Sequence, residues 1–185
     1  MPIMKKTIKI KATEKHPFGD FVPPNTKYLI LGSFTGKRTE EDIRDGYDWF
    51  YGTKRNQFWR IVEQAFGTEL RTKEQKQDAC TERGVAIADI ILSCTRSKGS
   101  NLDVNLSKIV FNMRGVTSIV EQHRLRTIFF SSRFVEKLFK REFKSLVAKY
   151  PEIFLITLPS PSPRHAALTR TEKVALYKKA FEDHW

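Results

Sequence analysis

The stretch Tyr28-Leu29-Ile30-Leu31-Gly32-Ser33-Phe34-Thr35-Gly36 decides how the chain reads. Four apolar residues run without interruption and stop at a glycine, the pattern of a parallel strand buried on both faces. Glycines bracket the turn that follows, and they allow a tight turn with close approach of a ligand to the backbone. Next comes Trp49-Phe50-Tyr51-Gly52-Thr53-Lys54-Arg55-Asn56-Gln57-Phe58-Trp59, where aromatic residues interleave with bases and amides. From Phe58 onward Ile61, Val62, Ala65 and Phe66 recur at helical spacing, and Gly67 is the expected stop. The order is strand, glycine loop, aromatic segment, helix. In open α/β folds, ligands bind at that edge of the sheet.

Three more apolar runs match the first. The pattern predicts strands at Lys27–Leu31, Val85–Ile91, Thr127–Phe130 and Ile153–Leu158. Helices are expected at Asn56–Phe66, Thr72–Arg83, Asp103–Met113 and Gly115–His123. Ser132–Tyr150 reads as one amphipathic helix stopped by Pro151, and Thr169-Arg170-Thr171-Glu172 reads as a capping box opening a last helix. Ser93–Asn101 reads as a polar loop, and Lys37–Tyr47 as a loop or short helix. Met1–Lys15 reads as a loose basic arm or an edge strand, with Ile8 and Ile10 alternating with lysines. Strands alternating with helices predict an α/β fold: a three-layer α/β/α sandwich around a central four-stranded parallel sheet. At 185 residues the whole chain, 1–185, is expected to form one domain.

The 33 Lys and Arg outnumber the 21 Asp and Glu, giving a formal net charge of +12. Such an excess points to an anionic partner, and aromatic residues among the basic ones favour nucleic acid over a membrane surface. Cys80 and Cys94 are too few for a disulfide framework or a four-cysteine cluster. The basic N-terminus lacks the apolar core of a signal peptide, and no apolar run is long enough to span a bilayer. The expectation is a cytoplasmic monomer that needs no metal or other cofactor.

Three blocks carry a family resemblance. Gly32-Ser33-Phe34-Thr35-Gly36 with Asn56-Gln57-Phe58-Trp59 resembles the first motif region of the uracil-DNA glycosylase superfamily. The Gly-Ser-Phe form is most similar to the hypoxanthine-DNA glycosylase branch. Ala86–Cys94 with Arg96, Gly99, Ser100, Leu102 and Asp103 resembles that branch's middle motif. Leu158-Pro159-Ser160-Pro161-Ser162-Pro163-Arg164-His165-Ala166 resembles its last motif. The blocks lie in the family's order and span most of the chain. The resemblance implies the same α/β/α sandwich that the strand pattern predicts.

Base excision sets out what a site needs. The base leaves the stack and is read in a pocket with an aromatic platform, hydrogen-bonding groups for its edge and a placed water. Asn56 is a helix N-cap by residue type and position; the resemblance implies a catalytic asparagine there. Phe34 departs from the better-known branches, which carry an acidic residue or asparagine to orient water at that loop position. Ser33 is a turn serine or a weak hydrogen-bonding partner in catalysis. Tyr51 sits where sister branches place the aromatic that stacks on the flipped base, with Phe50 and Phe34 as alternates. All three are equally candidates for core packing. Asp89 is either a loop cap or, as the resemblance implies, the reader of the base edge. In the last motif Leu158 stands where better-known members have a histidine, and Ser162 where they have a wedge leucine. His165 is the candidate for a displaced catalytic imidazole. Lys54, Arg55, Arg96, Lys98 and Arg164, with Ser160 and Ser162, are the candidate phosphate contacts.

The expected activity is that of a monofunctional DNA glycosylase, which hydrolyses the N-glycosidic bond of a deaminated or modified base and leaves an abasic site. Two rivals are a non-catalytic module that binds modified bases and a small enzyme acting on free nucleotides. The excised base stays open among uracil, hypoxanthine, xanthine and modified pyrimidines.

Overall fold

A computed structural model describes residues 12–37, 39–45, 48–97 and 102–184. In chain order the elements are β1 (Thr13–Lys15), β2 (Tyr28–Gly32), α1 (Glu40–Arg44), α2 (Phe58–Phe66), α3 (Lys73–Arg83), β3 (Val85–Asp89) and β4 (Ile91–Arg96). A 3-10 turn, Asp103–Asn105, then leads into β5 (Leu106–Phe111). The remainder is α4 (Met113–Gln122), β6 (Thr127–Phe130), α5 (Arg133–Glu142), α6 (Lys144–Lys149), β7 (Phe154–Thr157) and α7 (Arg170–His184). Ile8 and Ile10 lie outside the described residues, while Thr13–Lys15 forms an edge strand.

The four predicted strands form one parallel sheet in the order β3-β2-β6-β7. Alternate residues point to opposite faces, so each run feeds two cores. Leu29, Leu31, Ala86, Ala88, Ile128 and Phe130 pack toward α4, α5 and α6. Tyr28, Ile30, Val85, Ile87 and Phe129 pack toward α2, α3 and α7. This is the expected α/β/α sandwich, and it explains why the strands read as continuous apolar runs. The helix ends follow local chemistry. Thr72 and Gln75 form a reciprocal capping box at the start of α3, and α2 ends at Gly67, which takes the left-handed conformation at φ 63°.

Two expectations fail together. Ser93–Arg96, at the start of the predicted loop Ser93–Asn101, belong to β4, while 98–101 lie outside the described residues, and the predicted helix at Asp103–Met113 is a 3-10 turn followed by β5. With β1 these strands make a second, antiparallel sheet in the order β1-β4-β5. Leu102, Leu106, Ile109 and Met113 recur at helical spacing. They do not share a buried face, since Leu102 and Met113 are exposed. Strand pairing with β4 overrides the local period. The predicted long helix at Ser132–Tyr150 also divides. It breaks at Phe143, whose buried ring stacks on Phe139 at a centroid distance of 5.0 Å.

The chain order places the site. From β2 the chain goes to β3 on one side and later to β6 on the other, so the β2–β6 crevice is the point where the winding reverses. Ligands in such sheets bind beyond the carboxyl ends of the strands at that point. Asp89 ends β3 directly beside Gly32 at the end of β2. No helix among the described residues is long and apolar enough to cross a membrane.

Candidate active site

A cavity of about 390 Å³ opens at the carboxyl edge of the parallel sheet. That size falls within the roughly 300–1,000 Å³ common for small-molecule sites. Segments distant in sequence line it: Ser33–Gly36 after β2, Tyr51–Thr53 with Arg55 and Asn56 before α2, Asp89 and Asp103, Ser131 and Ser132 after β6, and Ser160–Arg164 after β7.

Asp89 is the buried centre of this edge. A Cβ on Gly32 would collide with its Oδ1, so the glycine is what lets the carboxylate lie against the neighbouring strand. His16 holds the other oxygen. Its Nε2 donates to Asp89 Oδ2 at 2.8 Å, with both side chains buried. The imidazole sits among the rings of Phe18, Phe34 and Phe50, with centroids 5.5–5.7 Å away. Its Nδ1 lies 2.8 Å from the Phe18 carbonyl, which only accepts, while the Phe18 N–H stands farther off at 3.2 Å. Nε2 thus meets a carboxylate oxygen and Nδ1 a carbonyl oxygen. Burial by itself lowers the pKa of His16, but the hydrogen bond and charge of Asp89 outweigh it, and the net shift is upward from 6.5.

That direction fixes a pH dependence. A histidine whose pKa is raised by folding contributes stability that is complete below the unfolded value and lost as pH rises through the folded one. The melting temperature is therefore expected to decline from about pH 6.5 upward, and His16→Gln should flatten that decline. Equal slopes for the two proteins above pH 6.5 would show that the pair adds no proton-linked stability.

Tyr51 is held in an uncommon conformation, with φ 55°. Left-handed backbone is costly for a non-glycine residue and persists where surrounding contacts enforce it. Its ring stacks on Phe58, with centroids 4.1 Å apart and an interplanar angle of 21°. Its hydroxyl lies buried beside Asp89 and Ser131. Burial first, then the Asp89 charge, holds its pKa well above the usual phenol value. Asn56 stands two residues before α2, and its Oδ1 accepts the Phe58 N–H at 2.9 Å. It therefore satisfies the helix start, as its residue type suggested, and lines the cavity as well. Phe34 lines the cavity and lies beneath the Arg96 guanidinium at 5.6 Å. Phe50, an alternate stacking candidate, is instead 2% exposed in the core. Its backbone carbonyl accepts from the Trp59 indole N–H at 2.8 Å.

Ser33 donates its hydroxyl proton to Asp103 Oδ1 at 2.9 Å. Burial raises the Asp103 pKa, the Ser33 hydrogen bond opposes this, and the Asp89 charge adds to the rise. Two carboxyl groups thus face one cavity in different surroundings, one paired with the His16 imidazole and the other with a serine hydroxyl.

The basic candidates separate. Arg55 and Arg164 are exposed at the cavity edge. Lys54 pairs with Glu41 at 3.1 Å and Asp45 at 3.5 Å, so it braces its own loop. Arg96 departs further from expectation. Its side chain is buried, donating to Glu14 Oε2 at 3.1 Å and to the Thr35 carbonyl at 3.0 Å, and it holds the Phe34 loop instead of standing at the surface. Lys98 lies outside the described residues. Ser160 and Ser162 line the cavity, and their hydroxyl oxygens accept the N–H groups of Ser162 and Arg164 at 3.3 Å each. Each hydroxyl keeps its own proton to donate. His165 is exposed in a turn and does not line the cavity, so the expectation of a displaced imidazole fails. Leu158 is 1% exposed and belongs to the core.

Sequence reasoning missed His16, Asp103, Ser131 and Lys173. His16-Pro17-Phe18-Gly19 read only as turn chemistry, and Asp103 only as a motif match. Ser131 was findable, because it follows an apolar strand as Asp89 ends one. Lys173 lies 1% exposed on the inner face of α7. It donates to the Ser162 carbonyl at 3.2 Å and the Gln57 amide oxygen at 3.4 Å, tying the last loop to the start of α2.

No family model matches the chain, and no curated protein does either. Among solved structures, the chain is similar to an NMR solution structure described as a "putative Uracil DNA glycosylase" from Methanosarcina acetivorans. The TM-score is 0.65 at 25% sequence identity, over 91% of this chain and 98% of that one. The likeness supports a place in the uracil-DNA glycosylase superfamily. It covers nearly the whole of both chains, so the superfamily fold accounts for the parallel sheet and both helical layers.

Proposed function

We propose that this chain is a single-domain DNA glycosylase, near the hypoxanthine-DNA glycosylase branch, that flips a deaminated base from DNA and hydrolyses its glycosidic bond. It acts inside the cell, as a monomer and without a cofactor. The observation that carries the reading is the convergence of three separate motif blocks on one cavity at the winding reversal of the sheet. The superfamily likeness supports it.

Each role follows from local chemistry. Tyr51, backed by Phe58, and Phe34 offer aromatic surface to the extruded base. Asn56 Oδ1 has one lone pair left after taking the Phe58 N–H, and its Nδ2 group is a donor, so the amide can hold a water by two contacts. Asp89, held by His16 Nε2 at 2.8 Å, offers carboxylate oxygens as acceptors. Uracil, hypoxanthine and xanthine present a ring N–H where cytosine and adenine present a lone pair. An acceptor at that edge favours the deaminated bases. Arg55, Arg164 and the hydroxyls of Ser160 and Ser162 stand where the phosphates on either side of the flipped nucleotide would pass.

The test is a panel of duplexes, each carrying one uracil, hypoxanthine or xanthine, scored by alkali cleavage at the abasic site. Excision of at least one of these bases is expected. Asp89→Asn keeps size but presents a donor beside an acceptor, so it is expected to change relative rates among the three by about 10-fold or more. Binding to an undamaged duplex should hardly change, because the phosphate contacts remain. Equal ratios in both proteins would remove Asp89 from base recognition. Binding of modified duplexes with no cleavage of any would favour the non-catalytic module, which the Phe34 and Leu158 departures keep in view.

A further inference from the structure

We propose that Asp103 is the general base of the site, taking the proton from the water that attacks C1′. The inference rests on the glycosylase reading and names the group that performs its central step. A carboxylate that faces the cavity and is free to change its proton can take one from the attacking water. Phe34, which follows Ser33 in the β2 loop, has no group for this. Two carboxyl groups line the cavity, and their surroundings assign them different tasks.

Asp89 is already committed to other contacts. Its Oδ2 lies 2.8 Å from His16 Nε2, and its Oδ1 is wedged against Gly32 beside the Tyr51 hydroxyl. Asp103 has no such clamp. Among the described residues, the Ser33 hydroxyl is its hydrogen-bond partner, on Oδ1. Three charged or polar side chains act on it: Ser33 from the β2 loop, Asp89 from the end of β3, and Arg96 from β4. Burial and the neighbouring Asp89 raise its pKa, while Ser33 and Arg96 restrain the rise. A carboxylate moved in that direction is a stronger base.

The step balances. The water oxygen bonds to C1′ as the C1′–N bond breaks, and the bond's electron pair leaves with the base nitrogen. One water proton passes to Asp103 and the other stays on the new hydroxyl. Asp103 then yields its proton to the departing base, or to solvent that protonates it, and is ionised again. Ser33 is a positioning residue here, because it acts on the reacting atoms through Asp103.

The experiment is single-turnover excision from pH 4 to 9 on the base that the wild-type protein removes fastest, with duplex affinity measured in parallel. Asp103→Asn is expected to lower the rate about 100-fold or more and to abolish its rise with pH, leaving affinity within a few-fold. Ser33→Ala removes a hydrogen bond that favours the ionised carboxylate. It should move the midpoint of the rise to higher pH, and that midpoint, not the plateau, is the readout. A purely structural role for the Ser33–Asp103 contact would change plateau or stability without moving it. If wild type excises and Asp103→Asn matches it, the assignment of Asp103 falls while the glycosylase reading stands. An unmoved midpoint in Ser33→Ala likewise overturns the assignment. If wild type excises none of the bases, the glycosylase reading fails and takes this inference with it.

Discussion

Replacing Asn56 with alanine is expected to cut single-turnover excision by about 100-fold or more, with only a small loss of stability. The two effects come from different atoms of one amide. Oδ1 accepts the Phe58 N–H at 2.9 Å, which satisfies one of the donors at the start of α2. Losing such a contact costs about 1 kcal/mol. The remaining lone pair and the Nδ2 protons face the cavity, where a water must be held for attack. Asn56→Asp separates the functions. It keeps an acceptor for Phe58, so its melting temperature should stay near wild type, but it lacks the amide donor and adds a charge beside Asp89 and Asp103. Excision by Asn56→Asp should fall despite the intact helix start. Wild-type rates in Asn56→Ala would confine this residue to the helix start.

Gly32→Ala should be as damaging to activity and far more damaging to the fold. The added methyl would overlap Asp89 Oδ1 and come within 2.9 Å of the Tyr51 hydroxyl. Neither neighbour can retreat easily. Asp89 is held by His16 in a buried pair, and Tyr51 is packed flat on Phe58. Overpacking of this kind costs about 1–3 kcal/mol, and displacing one member of a buried ion pair adds to it. Excision should drop by about 100-fold or more, because Asp89 and Tyr51, the proposed base reader and stacking ring, move together. Coupling identifies the cause. In an Asp89→Ser background the methyl has room, so the same substitution should cost markedly less stability. Additive losses across that double-mutant cycle would show that the glycine matters for another reason.

How far the sequence revealed these features depended on whether the signal was local. The parallel sheet was legible because each strand is an apolar run that fills both cores, as in Tyr28–Leu31. Asn56, Asp89 and Tyr51 were legible because they end or flank such elements inside recognisable blocks. The antiparallel sheet was not, since Ser93-Cys94-Thr95-Arg96 is polar and becomes a strand only through partners found elsewhere in the chain. Leu102, Leu106, Ile109 and Met113 imitate a helix for the same reason: spacing carries no information on what lies opposite. His16 was hidden because its partner is Asp89, 73 residues away, and nothing near it in sequence marks a buried ion pair. Arg96 and Lys54 looked like phosphate contacts because sequence shows a charge but not its partner, and each has acidic partners in the fold.

The pairing of β1 has a bearing on how the site comes into being. Among the described residues β1 pairs only with β4, with Thr13 opposite Thr95, and His16 follows it directly. During synthesis β1 must therefore wait for β4 until residues 91–96 have left the ribosome. Closing so long a loop delays contact formation more than it weakens the finished structure. By then the nascent chain holds His16, Gly32 and Asp89, but the imidazole meets the carboxylate only when β1 docks on β4. Assembly of this wall of the cavity is thus tied to a late long-range closure, and the aspartate stays wet until β1 arrives.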